Sequence, residues 1–241
     1  MNKLRVSVIL LVSNEEAVIE KTIRDYYNEL LGKIDFEMIV MEDGSVDRTK
    51  EILRELNKEL GIRIFLKDER RGYLGAIIEG LKYARYDWIF LVDSDYQFLP
   101  EDFWKLTPYI DKCDVIVGRK AVRQDAWYRV FLGWGYNTLC RIVFPKLRRF
   151  QLRDIDTGFR LFKKQVALHL APDVQILAFF TAEFIIRAVY AGYQVLEVPV
   201  RHLRRALGKS RANPVLKIPS VVLHELLGIA KLRFNLHASK K

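Results

Sequence analysis

Short apolar runs rich in β-branched residues alternate along the first half of the chain with longer segments of helical spacing. Val6–Val12, Phe36–Met41, Ile62–Leu66 and Trp88–Val92 are the short runs. Unbroken apolar runs of that length suit strands buried on both faces of a parallel sheet. Between them, Glu15–Leu31, Asp47–Leu60 and Gly72–Arg85 repeat apolar residues every three to four positions, as at Ile52, Leu53, Leu56 and Leu60. The alternation predicts an α/β fold with a doubly wound sheet. Ligands of such sheets gather at the carboxyl ends of the strands. The loops to watch are therefore Ser13–Glu16, Glu42–Asp47, Lys67–Gly72 and Asp93–Gln97.

The second half is less regular. Asp114–Gly118 and Tyr193–Val200 read as strands, and Thr181–Tyr190 as a helix. Trp127–Phe144 reads as an aromatic-rich helix, with Trp127, Trp134, Tyr136 and Phe144. Pro214 and Pro219 precede a last helix, Lys217–Asn235, running to about Leu236. Its polar positions Lys217, Ser220, His224, Gly228, Lys231 and Asn235 form a stripe at i+3/i+4 spacing. The other side is Ile218, Val221, Val222, Leu226, Ile229, Leu232 and Leu236, broken by Glu225 and Arg233. A narrow polar stripe beside a wide apolar face suits a helix lying in a bilayer interface. The competing reading is a helix docked on the protein's own core or on a membrane-spanning partner.

Length and composition narrow the classes. The chain has 241 residues, half of them hydrophobic, which suits one α/β domain and excludes a disordered chain. No apolar stretch reaches the roughly 18 residues needed to cross a bilayer. The run Val6–Val12 is followed directly by Asn14, Glu15 and Glu16, so it reads as a first strand rather than a signal peptide. Cys113 and Cys140 are too far apart in sequence to suggest a zinc site, and read as buried thiols in a reducing compartment.

Charge is placed unevenly. Residues 1–111 hold 16 Lys and Arg against 22 Asp and Glu, residues 112–164 hold 13 against 4, and residues 201–241 hold 10 against 1. Two basic segments on an otherwise acidic chain imply a localised anionic partner. Nucleic acid is disfavoured as that partner, because the acidic strand-end loops would repel a phosphate backbone.

Those loops carry the candidate chemistry. Asp93-Ser94-Asp95-Tyr96-Gln97 follows a strand, so it can present two hard carboxylates and an amide oxygen to Mg²⁺ or Mn²⁺, with phosphate oxygens filling the other positions. Alternatively, the aspartates cap a helix starting near Pro100. Asp43 and Asp47 follow the second strand, where Asp47 or Ser45 can cap the next helix and Asp43 is left over. Ser13–Glu16 makes a third polar loop on the same edge. Like charges gathered in this way need a cation between them.

Eight stretches, in order, carry a resemblance. They are N-E-E at Asn14, D-G-S-x-D-x-T from Asp43, G-x-x-G-A-I-x-x-G-L from Gly72, D-x-D-x-Q at Asp93, G-R at Gly118, T-G-F-R at Thr157, E-V-P-V at Glu197 and R-x-x-G-x-S-R from Arg205 to Arg211. Over roughly residues 5–212 the chain resembles the family 2 glycosyltransferases of the GT-A fold, and within them the dolichol-phosphate mannose synthases and related polyprenyl-phosphate glycosyltransferases. The resemblance implies a Rossmann-like, doubly wound mixed sheet with flanking helices. Residues 1–212 would form the catalytic domain and 213–241 a basic amphipathic helix and tail.

It also implies roles. Glu15, Asp43 and the backbone near Met41 would hold the nucleoside of a GDP-mannose or UDP-glucose donor, with Leu11, Ser13, Val92 and Ser94 lining the same site. Asp93, Asp95 and Gln97 would hold Mg²⁺ or Mn²⁺. Arg119, Arg129, Arg205 and Arg211 would bind phosphates, and Asp95, Arg129 and Arg205 would act in catalysis. Three departures stand out: Leu11 and Ser13 replace the family's proline and tyrosine, Glu42 replaces the first aspartate of its D-D-G-S loop, and Arg211 replaces a lysine.

The acceptor separates subfamilies. A sugar hydroxyl needs a general base, whereas a phosphate with a second pKa of about 6 is already anionic and needs only cations. Hydroxyl-directed relatives carry Q-x-x-R-W, and around Arg201 this chain reads R-H-L-R-R instead. An inverting hexose transfer to dolichyl or polyprenyl phosphate on the cytoplasmic face of a membrane is therefore expected. Asp154, Asp156 and His202 remain candidate bases for the alternative, a glycan or protein hydroxyl acceptor. A non-catalytic partner-binding or nucleic-acid-binding protein is the remote alternative.

Overall fold

The computed structural model describes residues 3–121, 127–170, 173–174, 180–205 and 218–238. The expected strands form around β1 (Arg5–Val12), β2 (Asp35–Glu42), β3 (Arg63–Phe65) and β4 (Trp88–Asp93), with α1 (Ile19–Leu30), α2 (Thr49–Leu60) and α3 (Gly72–Tyr83) between them. These four strands are parallel to one another. Then come β5 (Val115–Lys120), α4 (Trp127–Val143), the single turn α5 (Lys146–Arg149), β6 (Phe159–Lys163), α6 (Lys164–Leu170), α7 (Phe180–Ala191), β7 (Val195–Val200) and α8 (Ile218–Ala238).

The sheet has seven strands in the order β3-β2-β1-β4-β6-β5-β7. It is doubly wound and mixed, because β6 runs antiparallel to both β4 and β5. That strand was not legible in the sequence. It begins inside the T-G-F-R stretch, where the buried Arg160 interrupts the apolar run.

Alternation sends side chains to two core layers. Ile9, Ile39, Met41, Ile89, Leu91, Val115 and Val117 pack under α3, α4 and α7. Val8, Leu10, Met38, Val40, Phe90, Val92 and Ile116 pack under α1 and α2. With both faces covered, only the strand ends reach solvent, and this is what makes the carboxyl edge the place for chemistry.

Three expectations change. Helix α1 begins at Ile19 rather than Glu15, because residues 13–16 are committed to contacts with the β2–α2 loop. Cys140 is buried as expected, but Cys113 is only half-buried.

The third change concerns α8, whose predicted polar stripe and apolar face do not map onto outside and inside. Gly228 of the stripe is buried together with Glu225, while Ile229 and Leu232 join the core layer of α4 and α7. Val222, Leu223, Leu226, Leu227 and Phe234 are exposed. The helix is apolar on both sides: one side docks on the protein's own core and the other faces outward. Among the described residues no helix is long and apolar enough to cross a membrane.

Candidate functional site

The loops after β1 and β2 are zipped together. The Asn14 backbone N–H donates to Ser45 Oγ (2.8 Å), and the Val46 N–H donates to Asn14 Oδ1 (3.0 Å). The Glu15 N–H donates to Thr49 Oγ1 (2.9 Å), and Ser13 Oγ donates to the Asp43 carbonyl (3.2 Å). Asn14 takes a left-handed backbone (φ +56°), which asparagine tolerates better than most residues. Asp47 Oδ1 accepts the Thr49 N–H (3.0 Å), a local tie to the first residue of α2, whose N-cap position is Arg48 and carries no side-chain cap.

Asp43 has a structural task. One carboxylate oxygen accepts the Arg71 N–H (2.6 Å) and the other the Gly72 N–H (2.9 Å), so this residue fixes the entry of α3. Gly44 allows the approach, since a Cβ there would come 2.8 Å from the Arg70 nitrogen. Glu42, the departure from the family pattern, is buried. It accepts from the Ser45 N–H and from the Lys67 N–H (3.1 Å), a span to β3's loop that suits its longer side chain.

The β4 loop sits between these loops and the second half of the chain. Ser94 Oγ donates to the Leu11 carbonyl (2.8 Å) and the Gln97 N–H to Asp95 Oδ1 (3.2 Å). The aspartates therefore do not cap the turn at Pro100. Gln97 Nε2 donates to the Leu203 carbonyl (2.9 Å), which assigns its amide oxygen to any ligand role. Met41 and Val92 are buried in the core and Leu11 packs against it, so what they offer a ligand at the strand ends is backbone.

Asp93 lies against β6. Its N–H donates to the Gly158 carbonyl (3.0 Å), and a Cβ at Gly158 would stand 1.8 Å from Asp93 Oδ2. Only glycine leaves that carboxylate its place. The loop before Gly158 is held by Arg160, a fully buried guanidinium that donates to the carbonyls of Thr157 (2.7 Å), Thr181 (2.7 Å) and Ile155 (3.0 Å).

Electrostatics mark the pair. Burial and then the neighbouring Asp95 push the Asp93 carboxyl up to about 7. Asp95 is also raised by burial, with Arg205 opposing the shift. Two carboxylates raised in this way lack positive charge. The donor set is hard oxygen, and among the described residues no group of three or more Asp, Glu, His or Cys could enclose an ion by itself. The chemistry of the donor set, two carboxylates with the Gln97 amide oxygen in the same loop, fits Mg²⁺ or Mn²⁺.

The expected cations divide. Arg205 enters the site: its Nη2 lies 2.6 and 2.5 Å from the two Glu15 oxygens, and its Nη1 lies 3.7 Å from Asp95 Oδ2. Arg119 instead pairs with Glu197 (3.2 Å). Arg211 lies outside the described residues, as does the side chain of Arg129 in α4. Lys120, which sequence reasoning passed over beside Gly118-Arg119, takes a place there. Its Nζ donates to the Asp156 carbonyl (2.9 Å), and its charge draws down both Asp93 and Asp95. No local signal separates Lys120 from Arg119, because the choice depends on the β6 loop.

The candidate bases are engaged. Asp154 Oδ2 accepts the Lys120 N–H (3.2 Å), and Asp156 Oδ1 accepts from Thr181 Oγ1 (2.6 Å). His202 is buried edge-on against Phe98.

Known proteins resemble this chain in sequence and in fold. The family model described as Glycosyl transferase family 2 matches residues 7–170. A dolichol-phosphate mannosyltransferase of Pyrococcus furiosus is 31% identical over 86% of this chain and 59% of its own length. An undecaprenyl-phosphate 4-deoxy-4-formamido-L-arabinose transferase of an Enterobacter species is 29% identical over 86% of this chain and 62% of its own. The chain thus spans about three-fifths of these relatives. A solved structure of glucosyl-3-phosphoglycerate synthase from Mycobacterium tuberculosis, with Mn²⁺, UDP and phosphoglyceric acid, superposes with a TM-score of 0.71. It is 17% identical and covers 95% of this chain and 78% of that one. The likeness is one of fold, the mixed sheet with its flanking helices.

Proposed function

The chain belongs to glycosyl transferase family 2, and on that premise we propose that it moves a hexose, mannose before glucose, from a nucleotide-sugar to dolichyl or polyprenyl phosphate with inversion. The observation that carries this reading is the meeting at one sheet edge of Asp93 and Asp95 with Arg205 and Lys120. Carboxylates there suit a cation and its diphosphate, and fixed positive charge beside them suits an anionic acceptor. The two relatives act, by their names, on dolichol phosphate and undecaprenyl phosphate.

A divalent cation held by Asp93, Asp95 and Gln97 would neutralise charge on the departing diphosphate. The chain's own residues do the rest. Glu15 and the backbone at the ends of β1 and β2 hold the nucleoside, and Arg205 and Lys120 hold phosphate oxygens. An acceptor phosphate oxygen then attacks the anomeric carbon opposite the breaking bond to the diphosphate. Because that oxygen is already ionised, no base is required. The engagement of Asp154 and Asp156 in structural hydrogen bonds supports this over a hydroxyl acceptor.

A lipid acceptor brings the enzyme to a membrane surface. Trp127, Phe131 and Trp134 of α4 are 81%, 64% and 63% exposed, and Leu227 and Phe234 of α8 are 64% and 75% exposed. Apolar surface on this scale suits insertion among lipid headgroups. The exposed Arg148 and Arg149 after α4 suit an anionic cytoplasmic leaflet.

The test is direct. Full-length protein is given GDP-mannose or UDP-glucose, polyprenyl phosphate in vesicles, and Mn²⁺ or Mg²⁺. The expected result is metal-dependent formation of a lipid-linked sugar of inverted configuration, abolished by Asp95→Ala. Transfer to a glycan hydroxyl with polyprenyl phosphate untouched would overturn the reading.

A further inference from the structure

Tyr96 stands between two candidate metal ligands in a backbone conformation that an aromatic residue rarely takes. Its φ is +58°, in the left-handed region where Cβ crowds the carbonyl oxygen. Such a conformation persists only when the surroundings over-determine it: here α1 holds the Tyr96 side chain, while the Leu203 N–H donates to the carbonyl of the next residue, Gln97 (2.8 Å). The Tyr96 hydroxyl donates to Asp25 Oδ2 at 2.5 Å. Lys21, one turn earlier on α1, donates to the same oxygen at 2.6 Å and lies 4.4 Å from the Tyr96 ring centroid.

The hold extends along the loop. Thr22 Oγ1 shares its one proton between the Val18 carbonyl of its own helix (2.9 Å) and the Ser94 carbonyl (3.0 Å), and Tyr26 Oη donates to the Phe98 carbonyl (3.1 Å). Helix α1 therefore grips residues 94, 96 and 98, while the candidate ligands are residues 93, 95 and 97. The backbone of Tyr96 sets the angle between Asp95 and Gln97. Relaxing its φ to a negative value would turn the following peptide and carry Gln97 away from Asp95.

We propose that Tyr96, latched by Asp25 and Lys21, is a positioning residue that presets Asp95 and Gln97 to receive a divalent cation. The proposal rests on the reading that Asp93, Asp95 and Gln97 form the cation site. None of Lys21, Asp25 or Tyr96 is itself a ligand, so each acts through the loop it holds.

The test measures Mn²⁺ binding rather than turnover. Free Mn²⁺ is titrated by electron paramagnetic resonance into full-length wild type, Tyr96→Phe and Asp25→Asn, each with saturating GDP and, in parallel, UDP. Arg24→Gln, on the same helix but paired with Glu20 and Glu59, is the control. Removing the latch should weaken Mn²⁺ about tenfold, the usual size of an outer-shell effect, with Arg24→Gln unchanged and the metal-free melting temperatures alike. If the variants melt earlier but bind Mn²⁺ as tightly as wild type, the contacts only stabilise the fold and the latch is overturned. Wild type that binds no Mn²⁺ with either nucleotide would sink the cation site itself, and the latch with it.

Discussion

Arg205 and Glu15 stand 190 residues apart in the chain, yet their side chains meet with 2.6 and 2.5 Å contacts to both carboxylate oxygens. The same guanidinium reaches within 3.7 Å of Asp95. A residue expected to bind phosphate thus touches one expected at the nucleoside and one expected at the metal. This contact closes the site across the chain.

Arg205→Ala should cut transfer by about 10²–10³-fold, the size seen when one preorganised donor to developing charge is lost. Arg205→Lys keeps the charge without the fork, so a partial recovery is expected. Steady-state kinetics on the three proteins would check both values. Unchanged turnover in Arg205→Ala would remove this residue from the site.

Gly158→Ala should abolish divalent-cation binding while the protein still folds. The added Cβ falls 1.8 Å from an Asp93 oxygen, so either Asp93 or β6 must move. An overpacked position costs about 1–3 kcal/mol, which thermal melting would register alongside lost metal affinity. Retained Mn²⁺ affinity would mean that Asp93 relocates without consequence.

The metal-free protein should lose stability as pH rises. Asp93 has its carboxyl pushed from 3.8 to about 7 by burial and by Asp95, so the folded state holds a proton that the unfolded state has released. Its penalty is absent below pH 4, grows as pH climbs toward 7, and is constant above. Asp93→Asn should flatten that slope, and saturating Mn²⁺ should offset it. Urea melts between pH 5 and 8 would decide. A wild-type slope identical to that of Asp93→Asn would refute the assignment.

The outward faces of α4 and α8 should govern membrane association. Leu227→Asp with Phe234→Asp, both at exposed positions, should reduce sedimentation with anionic vesicles several-fold and leave the melting temperature nearly unchanged. Transfer to a short, water-soluble acceptor phosphate should survive. If the double variant pellets with vesicles as wild type does, the contact lies elsewhere.

Much of this was readable in advance for a physical reason. Buried parallel strands and amphipathic helices announce themselves by period, so β1–β4, α1–α3 and the loops at their carboxyl ends follow from residues close together in sequence. That Asp93 closes a strand, with Asp95 and Gln97 in the loop after it, was legible because the apolar run before them is local, and so is the tie from Asp47 to the first residue of α2.

Tertiary structure decided what depends on distant partners. The antiparallel β6, inserted between β4 and β5, brings Gly158 against Asp93 and the Asp156 carbonyl to Lys120, and the pairing of β5 with β7 sets Arg119 beside Glu197. Both oxygens of Asp43 are spent on the α3 entry, a contact made across 28 and 29 residues. In α8 the same composition serves two surfaces, because packing on α4 takes Ile229 and Leu232 inward and leaves Leu227 and Phe234 outside. Periodicity reports that a face is apolar, and only the neighbour it meets decides which face is inside.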